Sequence, residues 1–152
     1  MSISRARGYL GLVHGELGNY EEAKILLKKS YKIYAQHYGV KHAASAYLLR
    51  SLGKVYLLEG NIKEAEKVIK SALEAFSESD HPGAYIALED LADLNLRKDF
   101  ELKKRNKNQQ DQQLKILACE YLNRALYFVK SYFPDDSPHI PRIQSKINDI
   151  SE

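Results

Sequence analysis

Cysteine is nearly absent from this chain. Cys119 is the single one among 152 residues, so no internal disulfide can form. A reducing, cytoplasmic compartment is the simplest expectation. An effector exported by a route without a signal would have the same composition. Proline (four) and glycine (eight) are also scarce, and the stretches between them are rich in Leu, Ala, Lys and Glu. That favours helices over a series of short strands. No apolar run approaches the roughly 20 residues that cross a bilayer. Behind Met1 to Arg7 there is no secretory apolar core, because Gly, His and Glu interrupt it. Charge of one sign is lacking too: 23 basic residues face 20 acidic ones, a net of +3. This is too balanced to imply nucleic acid on charge alone.

Chemistry-bearing patterns are missing as well. His14, His37, His42, His81 and His139 never form His-Glu-x-x-His, and no Cys-x-x-Cys exists. No metal site therefore has the required spacing. Gly8, Gly11, Gly15 and Gly18 are spread along a helical pattern rather than gathered after a strand, so no phosphate-binding loop is present. Cys119 has no positioned base that would make it a nucleophile. The reading is a binding protein with no cofactor, no metal and no catalytic residue. His14 is expected to touch the core, and His42 and His81 to stand at helix entries.

What is present is a repeat. Leu10-Gly11-Leu12-Val13 matches Leu52-Gly53-Lys54-Val55, and Gly18-Asn19-Tyr20-Glu21-Glu22-Ala23 matches Gly60-Asn61-Ile62-Lys63-Glu64-Ala65, each at an offset of 42. A period of this length decides the architecture. Each unit reads as two helices around a Gly-Asn turn, since these residues tolerate the left-handed conformation that closes a helix. Leu48, Leu49, Leu52, Val55 and Tyr56 form one apolar stripe; Ala65, Val68, Ile69, Ala72, Leu73 and Phe76 form the next. Gly53 and Ala65 are expected to face each other where the two helices approach closely.

A third repeat is interrupted. Leu91-Ala92-Asp93-Leu94 lies 39 residues after Leu52-Gly53-Lys54-Val55, and Ala118-Cys119-Glu120-Tyr121-Leu122 lies 53 after Ala65-Glu66-Lys67-Val68-Ile69. The difference of 14 is an insertion between its two helices, over 97–113. After Leu102 the apolar period lapses, which predicts lengthened helices and a mobile tip over 103–110. The Lys103-Lys104-Arg105-Asn106-Lys107 run has three readings: a solvated loop, a contact for an acidic protein or nucleic acid, or a nuclear-import signal. Near the end, Ser137 suits a helix N-cap and Pro138 the first helical position. Ile140, Ile143, Ile147 and Ile150 then give an amphipathic capping helix. The expected helices are 2–17, 20–37, 42–59, 62–78, 82–102, 110–132 and 138–150, in one domain over 1–152. Its repeats run over about 2–38, 42–78 and 82–132, with the cap at 138–150.

The residues Leu10, Gly11, Gly18, Asn19, Tyr20 and Ala23, with Leu52, Gly53, Tyr56, Gly60, Asn61 and Ala65, resemble the tetratricopeptide repeat (TPR). The 42-residue period and the linkers Tyr38-Gly39-Val40-Lys41-His42-Ala43 and Ser79-Asp80-His81-Pro82 are similar to its kinesin-light-chain-like subgroup. The resemblance implies an all-α, right-handed superhelical fold of three helical hairpins plus a C-terminal capping helix. It also implies a scaffold that binds a partner protein or peptide in a groove lined by the first helix of each repeat. On that basis the groove holds Tyr47, Arg50, Lys54 and Leu57; then Arg5, Gly8, Leu12 and Gly15; then Ile86, Glu89, Asp93 and Leu96. Gly8 and Gly15 would leave room for the ligand. Arg50 and Lys54 would attract an acidic stretch of the partner, or simply pair with Glu89 and Asp93. Arg50-Ser51 and Glu89-Asp90 stand where kinesin-light-chain relatives commonly carry asparagine pairs. Two other readings stay open: an assembly or regulatory segment of a larger protein or of a homo-oligomer, using an exposed first helix, and an RNA-binding helical repeat, which the even charge counts against.

Overall fold

The Gly-Asn pairs break the chain where the repeat places them. The computed structural model describes residues 10, 11, 14–105 and 112–152. Among these residues six helices follow Asn19: α1 (Tyr20–Tyr38), α2 (Ala43–Glu59), α3 (Ile62–Glu78), α4 (Ala84–Arg105), α5 (Gln112–Tyr132) and α6 (His139–Ser151). No strand occurs among the described residues. Of the first expected helix, residues 10, 11 and 14–16 are helical, and the rest lies outside the described residues apart from Leu17 in the turn. The chain divides into two compact units, Met1–His81 and Pro82–Glu152.

In the first unit both turns are built alike. Gly18 and Gly60 have φ of 84° and 89°, the left-handed region that glycine enters without steric cost. Asn19 N–H donates to the His14 carbonyl and Asn61 N–H to the Tyr56 carbonyl, each at 2.8 Å, so the repeat offset of 42 holds hydrogen bond for hydrogen bond. Asn61 then caps α3, its side chain accepting from Glu64 N–H. His42 caps α2 by accepting from Ala44 N–H at 3.1 Å, the helix-entry role expected for it. His14 is half-buried, with its ring nitrogen 3.3 Å from the Asn19 side-chain amide. Ala23, Leu27, Ala46, Val55, Ala65, Ile69, Ala72 and Phe76 make up the core, all 0–1% exposed.

Gly53 does pack against α3, but one turn beyond the expected partner. A Cβ there would stand 2.4 Å from Ile69 Cγ1 and 3.3 Å from Val68 Cγ2; Ala65 is not among its nearest neighbours. The reason is the geometry of an antiparallel hairpin. Gly53 is seven residues before Gly60, so its partner must lie a similar distance after Asn61, which Ile69 does. Gly53→Ala should therefore destabilise. The helix gains about 1 kcal/mol of intrinsic propensity, but overpacking against a fully buried isoleucine costs about 1–3 kcal/mol and prevails because Cγ1 is not a flexible tip. Urea unfolding of the two chains measures the balance; a more stable Gly53→Ala chain would reject this packing.

In the second unit Leu88, Leu91, Ala92 and Leu94 of α4 and Ala118, Leu122, Ala125 and Val129 of α5 are buried, and α6 packs on α5 with Ile143 fully buried. Ser137 Oγ accepts from His139 N–H at 3.4 Å, beside Pro138. Part of the expected mobile tip is helix instead. Residues 103–105 belong to α4, where Lys103 Nζ donates to Asp99 Oδ2 at 2.6 Å across one turn. Such an i,i+4 pair supports helix, and cations suit a helix C-terminus. The remainder of the expected tip, 106–110, lies outside the described residues.

Candidate partner-binding surface

α2 buries Leu49, Leu52, Gly53 and Tyr56 on one side. Residues three and four apart then share the opposite side. Of the residues assigned to the groove, Tyr47 is 41% exposed, Lys54 is exposed, and Arg50 and Leu57 are half-buried. Leu58, which the sequence reading passed over, is 52% exposed. The outer stripe is thus Tyr47, Ser51, Lys54 and Leu58, spaced four, three and four. The signal was available: Leu58 lies four after Lys54, and the core stripe had already claimed the other side of the helix. Tyr47 is covered on one side by aromatic rings. Its ring meets Phe76 edge-on at 4.9 Å and His81 at 5.8 Å.

Arg5, Gly8 and Leu12 lie outside the described residues. Gly15 is no gap for a ligand. It is buried, and a Cβ on it would meet Val55 Cγ2 at 2.9 Å and Ala23 Cβ at 3.7 Å. Its small size serves the approach of helices inside the first unit.

The carboxylates assigned to the third repeat have partners of their own. Glu89 is only 5% exposed. Both of its oxygens accept from the Arg142 guanidinium, one at 2.7 Å, and Lys146 Nζ joins at 3.3 Å. Lys146 also reaches both oxygens of Asp93 at 3.2 Å. Arg142 Nη2 further lies 3.2 Å from His139 Nδ1, and Tyr85 closes the group with its hydroxyl 3.4 Å from His139 Nε2. Burial alone would raise the Glu89 carboxyl. The hydrogen bonds and charge of Arg142, helped by Lys146, outweigh it, so the group titrates below its ordinary value. The same contact holds Arg142 more firmly protonated. The sequence signal was the register: Arg142 and Lys146 lie 53 after Glu89 and Asp93, with opposite charge. Ile86 and Leu96 are half-buried on the same helix.

Among the described residues no group of three or more His, Cys, Asp or Glu could hold a metal ion. Cys119 is a half-buried free thiol. No helix among them is long and apolar enough to cross a membrane.

The tetratricopeptide repeat family model matches residues 2–78. The chain belongs to the tetratricopeptide repeat family. Two solved structures show that this TPR fold extends over nearly all of it. One is a crystal structure of nearly identical TPR-like repeats of a kinesin light chain from Podosopora anserina, with a TM-score of 0.69 at 17% identity. The other is a point variant of those repeats, with a TM-score of 0.72 at 16% identity. Each match covers 96% of this TPR chain and 64% of the solved one. The TPR chain thus spans less than two-thirds of the length of the structures it resembles. No curated protein matches it.

Proposed function

We propose that this TPR chain is a scaffold that holds a partner protein by a peptide or helix laid along the outer stripe of α2, within the groove that the first helices line. Arg5, Leu12, Tyr47, Arg50, Lys54, Leu57, Ile86, Glu89 and Asp93 are the groove positions of this reading. The observation that carries it is the exposure of Tyr47, Lys54 and Leu58 on a helix whose other side is core. An aromatic edge, a cation and a leucine in line suit an acidic segment with apolar residues on either side of its charge. Glu89 contributes less than its sequence position suggests, because Arg142 covers it. Binding rather than catalysis is the role, and a cytoplasmic location fits the single free thiol.

The test is capture of partners by the isolated chain, identified by mass spectrometry, with Lys54→Glu and Leu58→Ser alongside. Both side chains are exposed, so helical circular dichroism should not change. Charge reversal should mainly slow association and make the residual binding less salt-sensitive. Unaltered capture by the double variant would remove α2 as the binding element.

A second reading, self-association or assembly within a larger protein, has its own observation. Leu10, Leu17 and Ile25 are 49%, 72% and 46% exposed in the leading part of the first unit. Sedimentation of the isolated chain as a stable dimer that Leu17→Ser dissolves would favour it.

A further inference from the structure

The end of the α4–α5 hairpin is a different surface from the α2 stripe. α2 and α3 have 17 residues each, whereas α4 has 22 and α5 has 21. At 1.5 Å per residue the hairpin extends about 7 Å further than its counterpart. This extra length is helix, not polar loop, and it does not hide its apolar groups. Phe100, five residues before α4 ends, is 58% exposed, and Ile116, four after α5 begins, is 43% exposed.

Charge is concentrated on the same segments. Residues 97–105 and 112–117 hold six cations (Arg97, Lys98, Lys103, Lys104, Arg105 and Lys115) against two carboxylates, Asp99 and Glu101. The surplus of four exceeds the +3 of the whole chain, so everything else taken together is slightly acidic. Asp99, with its side chain 7% exposed, is committed to Lys103 at 2.6 Å. Lys104 and Arg105 are exposed in the last turn, and Lys104 Nζ lies 5.7 Å from the centre of the Phe100 ring. Cation and aromatic face are thereby presented together.

We propose that this hairpin end docks an acidic protein segment that carries an apolar anchor: carboxylates for Lys104, Arg105 and Lys115, and an aliphatic or aromatic side chain for Phe100 and Ile116. Complementary charge selects the partner and speeds encounter, and the apolar contact slows its release. A nucleic acid suits the surface less well. Phe100 is the only aromatic in these segments, so stacking of successive bases has no platform. A lipid surface suits it less well too, because two exposed apolar side chains do not make the continuous apolar face that lies in a membrane interface.

The full chain tests this with a fluorescein-labelled peptide of repeated Glu-Glu-Leu-Phe units, read by anisotropy. Two control peptides carry Gln for Glu, or Ser for Leu and Phe; oligouridylate RNA and phosphatidylserine vesicles are the other probes. The acidic apolar peptide should bind, and each control peptide should bind about tenfold more weakly or worse. Lys104→Glu with Arg105→Glu, and separately Phe100→Ser, should each weaken the peptide by a similar factor with the circular dichroism spectrum intact. Lys29→Glu, at an exposed cation of α1 that belongs to neither surface, should leave it unchanged. Tighter binding of RNA or vesicles than of the peptide, equal binding of all three peptides, or full binding retained by Lys104→Glu with Arg105→Glu would each overturn the proposal.

Discussion

Phe76→Ala is expected to lower stability by about 3–5 kcal/mol, the usual cost of emptying a fully buried phenylalanine site. Phe76 is 0% exposed at the end of α3. Its ring takes the Tyr47 edge at 4.9 Å and stacks on His81 at 5.6 Å. The His81 N–H donates to the Phe76 carbonyl at 2.9 Å, so α3, α2 and the linker converge on one side chain. Losing it leaves a cavity that small neighbours such as Ala72 and Ala75 cannot fill. Thermal unfolding should show a midpoint lower by at least about 10 °C. Phe100→Ala is the internal control. It deletes the same atoms at a 58% exposed position and should stay within about 0.5 kcal/mol. Similar losses at both sites would show that Phe76 does not hold the place described.

Arg142→Ala is the second large effect. It leaves the buried Glu89 with Lys146 alone. Breaking a buried pair from one side costs about 3–5 kcal/mol when both partners are buried. Arg142 keeps 43% of its side chain in solvent, so screening reduces the expected loss to about 1–3 kcal/mol. Acid separates this account from simple loss of packing. The folded-state Glu89 value lies below the ordinary carboxylate value of 4.5. Its contribution to stability is therefore complete above 4.5 and is lost as pH falls through the lowered value. As pH falls below 4.5, the native chain should lose stability through this group, and Arg142→Ala should lose less, because desolvation then opposes ionisation with one cation fewer against it. Parallel pH profiles for the two chains would reject the ion pair as the cause. Glu89→Gln with Arg142→Gln, which leaves no uncompensated charge, should recover part of the stability.

Much of the fold was legible because punctuation in this chain is chemical. Gly60-Asn61 and the His42 entry fix helix ends whose positions follow from backbone conformation and capping, both local properties. What failed to show depended on elements meeting in space. The partner of Gly53 is set by equal arm lengths about a turn, so alignment of one repeat with the next pointed to Ala65 and missed Ile69. The last turn of α4 was lost to the reading because apolar periodicity ends at Leu102, while the bond from Lys103 to Asp99 that sustains the helix is polar. Of the candidate site, the α2 stripe was readable as a helical face, with Leu58 the omission. The burial of Glu89 was not, since it is the work of a helix 53 residues away.

That junction has a consequence for the order of the units. α4 meets its follower through two carboxylates, and α6 answers at the same register with two cations. A copy of α4 set in the position of α6 would bring carboxylate against buried carboxylate, and one of each pair would have to take up a proton to remain there. Helices that follow one another in a repeat array are thus not interchangeable tiles. The charge on one dictates the charge on its successor, and this junction accepts a cationic neighbour and refuses a duplicate of itself.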